Sequence, residues 1–164
     1  MDGNNCSVCE WISKRYEENK YFIGELETGY IFLSNRWQYF KGYTFFISKI
    51  CASELHLLPI EFRNKFLFEM TVVSEAVQNA FQAKKINCES LGNSCSHVHW
   101  HIIPRYGTDP SPTKTIWDIE SEIIDSISLS NVELVQTHNA LIVELKKLIE
   151  KYQIEANLNE VISF

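Results

Sequence analysis

Between positions 97 and 101 the chain reads His97-Val98-His99-Trp100-His101, which puts three of its five histidines at strict two-residue spacing. Successive side chains of a β-strand point to opposite faces, so this spacing predicts a strand over residues 97–103. His97, His99 and His101 then share one face, and Val98, Trp100 and Ile102 enter the other.

The flanking sequence supplies a sheet for that strand. Residues 21–26, 30–33 and 43–48 are short β-rich runs separated by Gly29 and Gly42, and they predict three antiparallel strands. From 60 to 84, Phe62, Phe66, Met70, Val73, Val77, Ala80 and Phe81 recur at steps of three and four, which predicts one long amphipathic helix entered at Pro59. A further strand is expected over 86–90. The turn Gly92-Asn93-Ser94 separates it from the histidine strand, which Pro104 is expected to end. Residues 107–116 read as a loop with Gly107, Pro110 and Pro112, and Leu141, Leu145, Leu148, Ile149 and Tyr152 mark a second helix. The expectation is one domain over 1–164, with a C-terminal helical segment over about 119–155. A hydrophobic content of 45% supplies its core.

A net charge of −6 speaks against broad contact with a nucleic-acid backbone, which clustered Lys and Arg would have to drive. No run approaches the roughly 18 apolar residues of a membrane span, and the first residues lack a signal peptide's apolar stretch. A cytoplasmic protein with neither nucleic-acid nor membrane partners is expected. Five cysteines, an odd number, suit metal ligands or free thiols better than a disulfide framework.

Three readings compete for the histidines. They are a solvated row; they ligate one metal together, although the outer Cα atoms would lie about 13 Å apart; or they divide the work. In the third, one neutral imidazole attacks phosphorus while its neighbours carry charge and fix ring geometry.

The run from His97 to Arg105, His-Val-His-Trp-His-Ile-Ile-Pro-Arg, resembles the signature of the histidine triad family. The resemblance covers motifs in 6–116 and implies an α+β fold, an antiparallel sheet with a long helix packed on it, commonly in a homodimer. It also implies that His99 attacks the α-phosphate of a nucleotide to form a covalent nucleotidyl-histidine, which water hydrolyses. His101 would bind phosphate oxygens, and Ser94 would donate to the leaving group. Asn93 stands where the family usually has Gln. Asn35 stands where it has a ribose-binding Asp, and Asn87 is a further polar candidate for substrate binding. The run Ser90-Leu91-Gly92-Asn93 with Asp109-Pro110 is similar to diadenosine tetraphosphate hydrolase-like bacterial members, so dinucleoside polyphosphates are the expected substrates. Nucleoside phosphoramidates, or a nucleotide-binding adaptor with little turnover, are the alternatives. The His-Pro-His strand of a uridylyltransferase is absent.

Cys6-Ser7-Val8-Cys9 has the spacing that brings two thiolates to one zinc, and a redox pair is the rival reading. By the resemblance such a pair is completed by the residue at 51 and by the first triad histidine, giving a structural zinc on Cys6, Cys9, Cys51 and His97, with His56 the alternative to Cys51. No organic cofactor is expected. A metal-dependent hydrolase that uses the triad as ligands is the competing class. Trp117 is a candidate pocket cover and Arg105 either a phosphate contact or a structural ion pair. Cys88 and Cys95 read as core thiols and His138 as a solvated helix residue.

Overall fold

The computed structural model describes residues 6–13 and 16–160. Six antiparallel strands lie in the order β4-β5-β3-β2-β1-β6: β1 Phe22–Leu26, β2 Gly29–Leu33, β3 Thr44–Ser48, β4 Lys85–Glu89, β5 His99–Arg105 and β6 Ala156–Leu158. The helices are α1 Ser7–Ile12, α2 Ile60–Phe81, α3 Ser121–Ile124 and α4 Asn131–Tyr152. The α+β class and the central elements agree with the sequence expectation.

One face of the sheet carries α2, with α4 packed against it. Ile31, Phe46 and Ile102 from the strands, and Val98 just before β5, meet Phe66, Val73 and Val77 of α2 and Leu141 and Leu145 of α4, all buried. Fully burying a side chain of this kind contributes about 1.5–3 kcal/mol, so this layer is the main support of the sheet. A smaller cluster of Phe40, Tyr43, Ile103, Ile116, Ile119 and Ile124 covers part of the opposite face. The histidines lie on that second face, beside the covering.

Several boundaries moved for physical reasons. The long helix stops at Phe81 rather than Lys84, because Gln82 turns left-handed (φ 54°) and the Lys84 N–H already bonds Arg105 O at 3.0 Å. Gly42 (φ +92°) makes room there: a Cβ would meet the Phe81 ring at 2.1 Å. The histidine strand begins at His99 rather than His97 and continues through Pro104 to Arg105. Pairing with β3 ends at Thr44–Ile102, so the N–H that Pro104 lacks removes no ladder bond. The C-terminal segment divides into α3, α4 and β6. A capping box starts α4, with the Ser130 hydroxyl accepting from Glu133 N–H and the Glu133 carboxylate accepting from Ser130 N–H.

His138 is not solvated; it is fully buried, and its Nε2 lies 3.2 Å from Phe22 O. It sits on the stripe of Leu134, Leu141, Leu145 and Leu148, a helical spacing that outweighs its polar sequence neighbours. Cys88 and Cys95 are not core thiols: Cys88 is exposed on the edge strand β4, and Cys95 is half-buried in the following loop.

Candidate functional site: a histidine relay beside a thiol cluster

Antiparallel register sets the triad opposite an apolar row on β3, with Ile47 facing His99 and Phe45 facing His101. The His99 ring is held between two partners. Its Nδ1 lies 2.6 Å from His97 O and its Nε2 lies 3.0 Å from His101 Nε2. A carbonyl oxygen only accepts, so Nδ1 carries the proton of the uncharged ring and Nε2 presents a lone pair. That is the tautomer a nitrogen nucleophile requires.

His101 is buried, and its Nδ1 lies 2.5 Å from the Tyr43 hydroxyl. Burial, assisted by the neighbouring His99, holds its pKa down at about 4, so the ring is uncharged at neutral pH. The unfolded value is about 6.5, so between these limits the unfolded chain binds a proton that the folded chain does not. Stability is therefore lost as pH falls from about 6.5 toward 4, by roughly 2 kcal/mol at pH 5. Burial lowers His138 in the same sense. Denaturant unfolding at pH 7.5 and pH 5 should show a smaller loss in His101→Asn than in the parent, and equal losses would refute the assignment.

His97 does different work. Its Nε2 lies 2.8 Å from Ser48 O, so that nitrogen donates and Nδ1 is left unprotonated. Nδ1 faces Cys6 Sγ at 3.4 Å and Cys9 Sγ at 3.5 Å. The ligand atoms of Cys6, Cys9, Cys51 and His97 all lie within 4.8 Å of one another. These are the separations of four donors around one tetrahedral ion, and a backbone carbonyl fixing the tautomer of a ligating histidine is its usual second support. Burial and its neighbours Cys51 and Cys6 push the Cys9 thiol up to about 12. The donor set therefore fits a metal. Cys51 rather than His56 completes it; His56 lies on the short turn Leu55–Leu57 before α2.

The remaining candidates are distributed unevenly. Asn35 lines a cavity of about 260 Å³ with Trp11, Tyr21, Phe32 and Phe45, on the triad face of the sheet. Phe45 joins it to the triad, its ring centroid 5.0 Å from that of His101. Asn93 lines a different cavity of about 470 Å³ beside His56, and Ser94 is exposed on the same loop. Asn87 is engaged elsewhere, its Oδ1 accepting from Arg105 Nη1 at 2.9 Å. Arg105 is a structural ion pair, with Nε 2.7 Å from Asp109 and the other nitrogens bonded to Lys114 O and Ser111 O. Trp117 does cover the site, its ring edge-on to His101 and its Nε1 donating to Glu89 at 2.6 Å.

Tyr43, Glu89 and Trp37 are site residues that the sequence reading missed. Tyr43 and Glu89 reach the histidines only through strand register, Glu89 pairing across from His101. Trp37 stacks on Tyr43 from a left-handed backbone (φ 59°), a conformation no local sequence signal announces in a bulky residue.

Comparison with known proteins shows the family and the fold. The family model of the HIT domain matches residues 15–108. The chain belongs to the HIT domain family. Proteins of this family are generally nucleotide hydrolases or transferases. Protein hit of Bacillus subtilis is 27% identical over 108 residues, covering 63% of this chain and 72% of its own. Among solved structures, a histidine triad nucleotide-binding protein from Sulfolobus tokodaii superposes with a TM-score of 0.66 at 19% identity, over 89% of this chain and 95% of that one. A zinc-bound histidine triad protein from Mycobacterium smegmatis gives 0.63 at 19% identity, over 90% and 97%. No described helix of this HIT protein is long and apolar enough to cross a membrane.

Proposed function

We propose that this HIT protein cleaves nucleotides at the α-phosphate through a covalent adduct on His99. The observation that carries this reading is the lone pair left on His99 Nε2, next to an aromatic cavity large enough for a nucleobase. In the reaction, Nε2 attacks the α-phosphorus, the bond to the leaving group breaks, and water then releases the nucleoside monophosphate and restores the free ring. The base stacks among Trp11, Tyr21 and Phe32, Asn35 hydrogen-bonds the ribose, His101 contacts phosphate oxygens, and Ser94 and Asn93 attend the leaving group from their loop.

Dinucleoside polyphosphates such as diadenosine tetraphosphate are the first substrates to try. One observation favours phosphoramidates as a second reading. Glu89 sits across from His101, and Arg105 is already committed to Asp109, so added negative charge on a leaving group meets a carboxylate rather than a free guanidinium. Protein incubated briefly with each class and quenched should carry one nucleoside monophosphate on His99 by peptide mass spectrometry. Nucleotide binding without any adduct would instead indicate an adaptor.

The thiol cluster holds a structural zinc in this proposal. Four protein ligands close a tetrahedral site and leave no position for water or substrate, and the zinc-bound relative supports the choice of metal. The homodimer is also part of the proposal; β4 offers it an open sheet edge, and light scattering measures it.

A further inference from the structure

We infer that Tyr43 is a positioning residue for the triad, holding His101 in the tautomer that presents Nε2–H toward His99. The chain of contacts is anchored at its far end by a group that cannot change roles. His97 O accepts, so His99 Nδ1 donates and His99 Nε2 is bare. His101 Nε2, 3.0 Å away, must then supply the proton of that contact, which leaves His101 Nδ1 bare. Tyr43 must therefore donate its hydroxyl proton to Nδ1, at 2.5 Å. With His99 uncharged, as a nucleophile must be, the opposite assignment would set two lone pairs against each other between the histidines, or His99 Nδ1 against a carbonyl.

The surroundings suit the hydroxyl to this one task. Tyr43 is fully buried, and burial together with Glu89 pushes its pKa up, so the proton stays on the oxygen. Its ring is clamped, stacked on Trp37 at 5.9 Å and tilted against Phe45 at 5.4 Å. The consequence is an uncharged imidazole that still donates. A neutral histidine chooses between two tautomers, and only the one with Nε2–H offers a proton to a phosphate oxygen placed beside His99. The kinetic part of this inference rests on His99 being the nucleophile; the tautomer part does not.

The test is nitrogen NMR of histidine-labelled, metal-loaded protein without nucleotide at neutral pH, in the parent and in Tyr43→Phe. Phe retains the stacking and removes only the hydroxyl. The expected result is protonated Nε2 with bare Nδ1 on His101 in the parent, and a mixture or a switch to Nδ1–H in the variant. Turnover in Tyr43→Phe should fall about tenfold in kcat with a smaller change in KM, as for one lost hydrogen bond expressed at the reacting groups. Protonated Nδ1 in the parent overturns the inference, and that measurement needs no variant. An identical tautomer in both proteins also overturns it, leaving Tyr43 as packing only. A Tyr43-dependent tautomer in a protein that forms no adduct on His99 would sustain this assignment while refuting the nucleophile.

Discussion

Replacement of His99 by Ala is expected to abolish turnover, by about 10⁴-fold or more, while the protein stays folded and still binds nucleotide. The size follows from the role: a group that forms the covalent bond has no substitute nearby, because His101 Nε2 carries its proton and the His97 ring is turned to the thiols. The structural cost should be small. His99 is only half-buried and belongs to neither core cluster, so its loss removes contacts worth about 1 kcal/mol. Nucleotide affinity should change only a few-fold, since Trp11, Phe32 and Asn35 remain in place. Turnover within tenfold of the parent in His99→Ala would sink the nucleophile assignment.

Removing the proposed zinc, by chelation or by Cys9→Ser, is expected to release α1 and with it one wall of the aromatic cavity proposed to take the nucleotide. Ser7–Ile12 is six residues long with no buried side chain, well below the ~12–15 residues at which an isolated helix becomes marginal. The thiols at His97 tether it, and the Trp11 ring packs 4.7 Å from Phe32. Without that tether, amide protection over residues 6–13 should vanish, with a stability loss of a few kcal/mol, less than in zinc fingers because the two cores persist. KM should rise roughly tenfold as Trp11 leaves the cavity, an effect the size of a lost aromatic contact. Near-normal kcat at saturating nucleotide is the expected companion result. Lost kcat in a protein whose α1 remains protected would instead mark the metal as catalytic.

Much of the site was legible from the sequence because its parts are local. Alternation at 97–101 carries the triad, and the two-residue spacing at Cys6 and Cys9 carries half the metal cluster. Periodicity over 60–81 carries α2 to within a turn. What escaped depends on neighbours far along the chain. The β6 strand, Ala156–Leu158, alternates in sequence but is only three residues long, and its place in the sheet comes from the edge that β1 offers. That the Asn87 amide oxygen accepts from Arg105, 18 residues later, was likewise not legible in the sequence around position 87.

The triad strand shows where local information ends. Sequence alone determined that three imidazoles share a face, since that follows from the geometry of any extended chain. Only the tertiary structure decided which partner each ring nitrogen faces. His97 is assigned to the thiols by Ser48 O, His99 is left bare at Nε2 by His97 O, and His101 is turned by Tyr43. Which nitrogen keeps the proton depends on the acceptor or donor facing it, and those partners arrive from strands paired across the sheet.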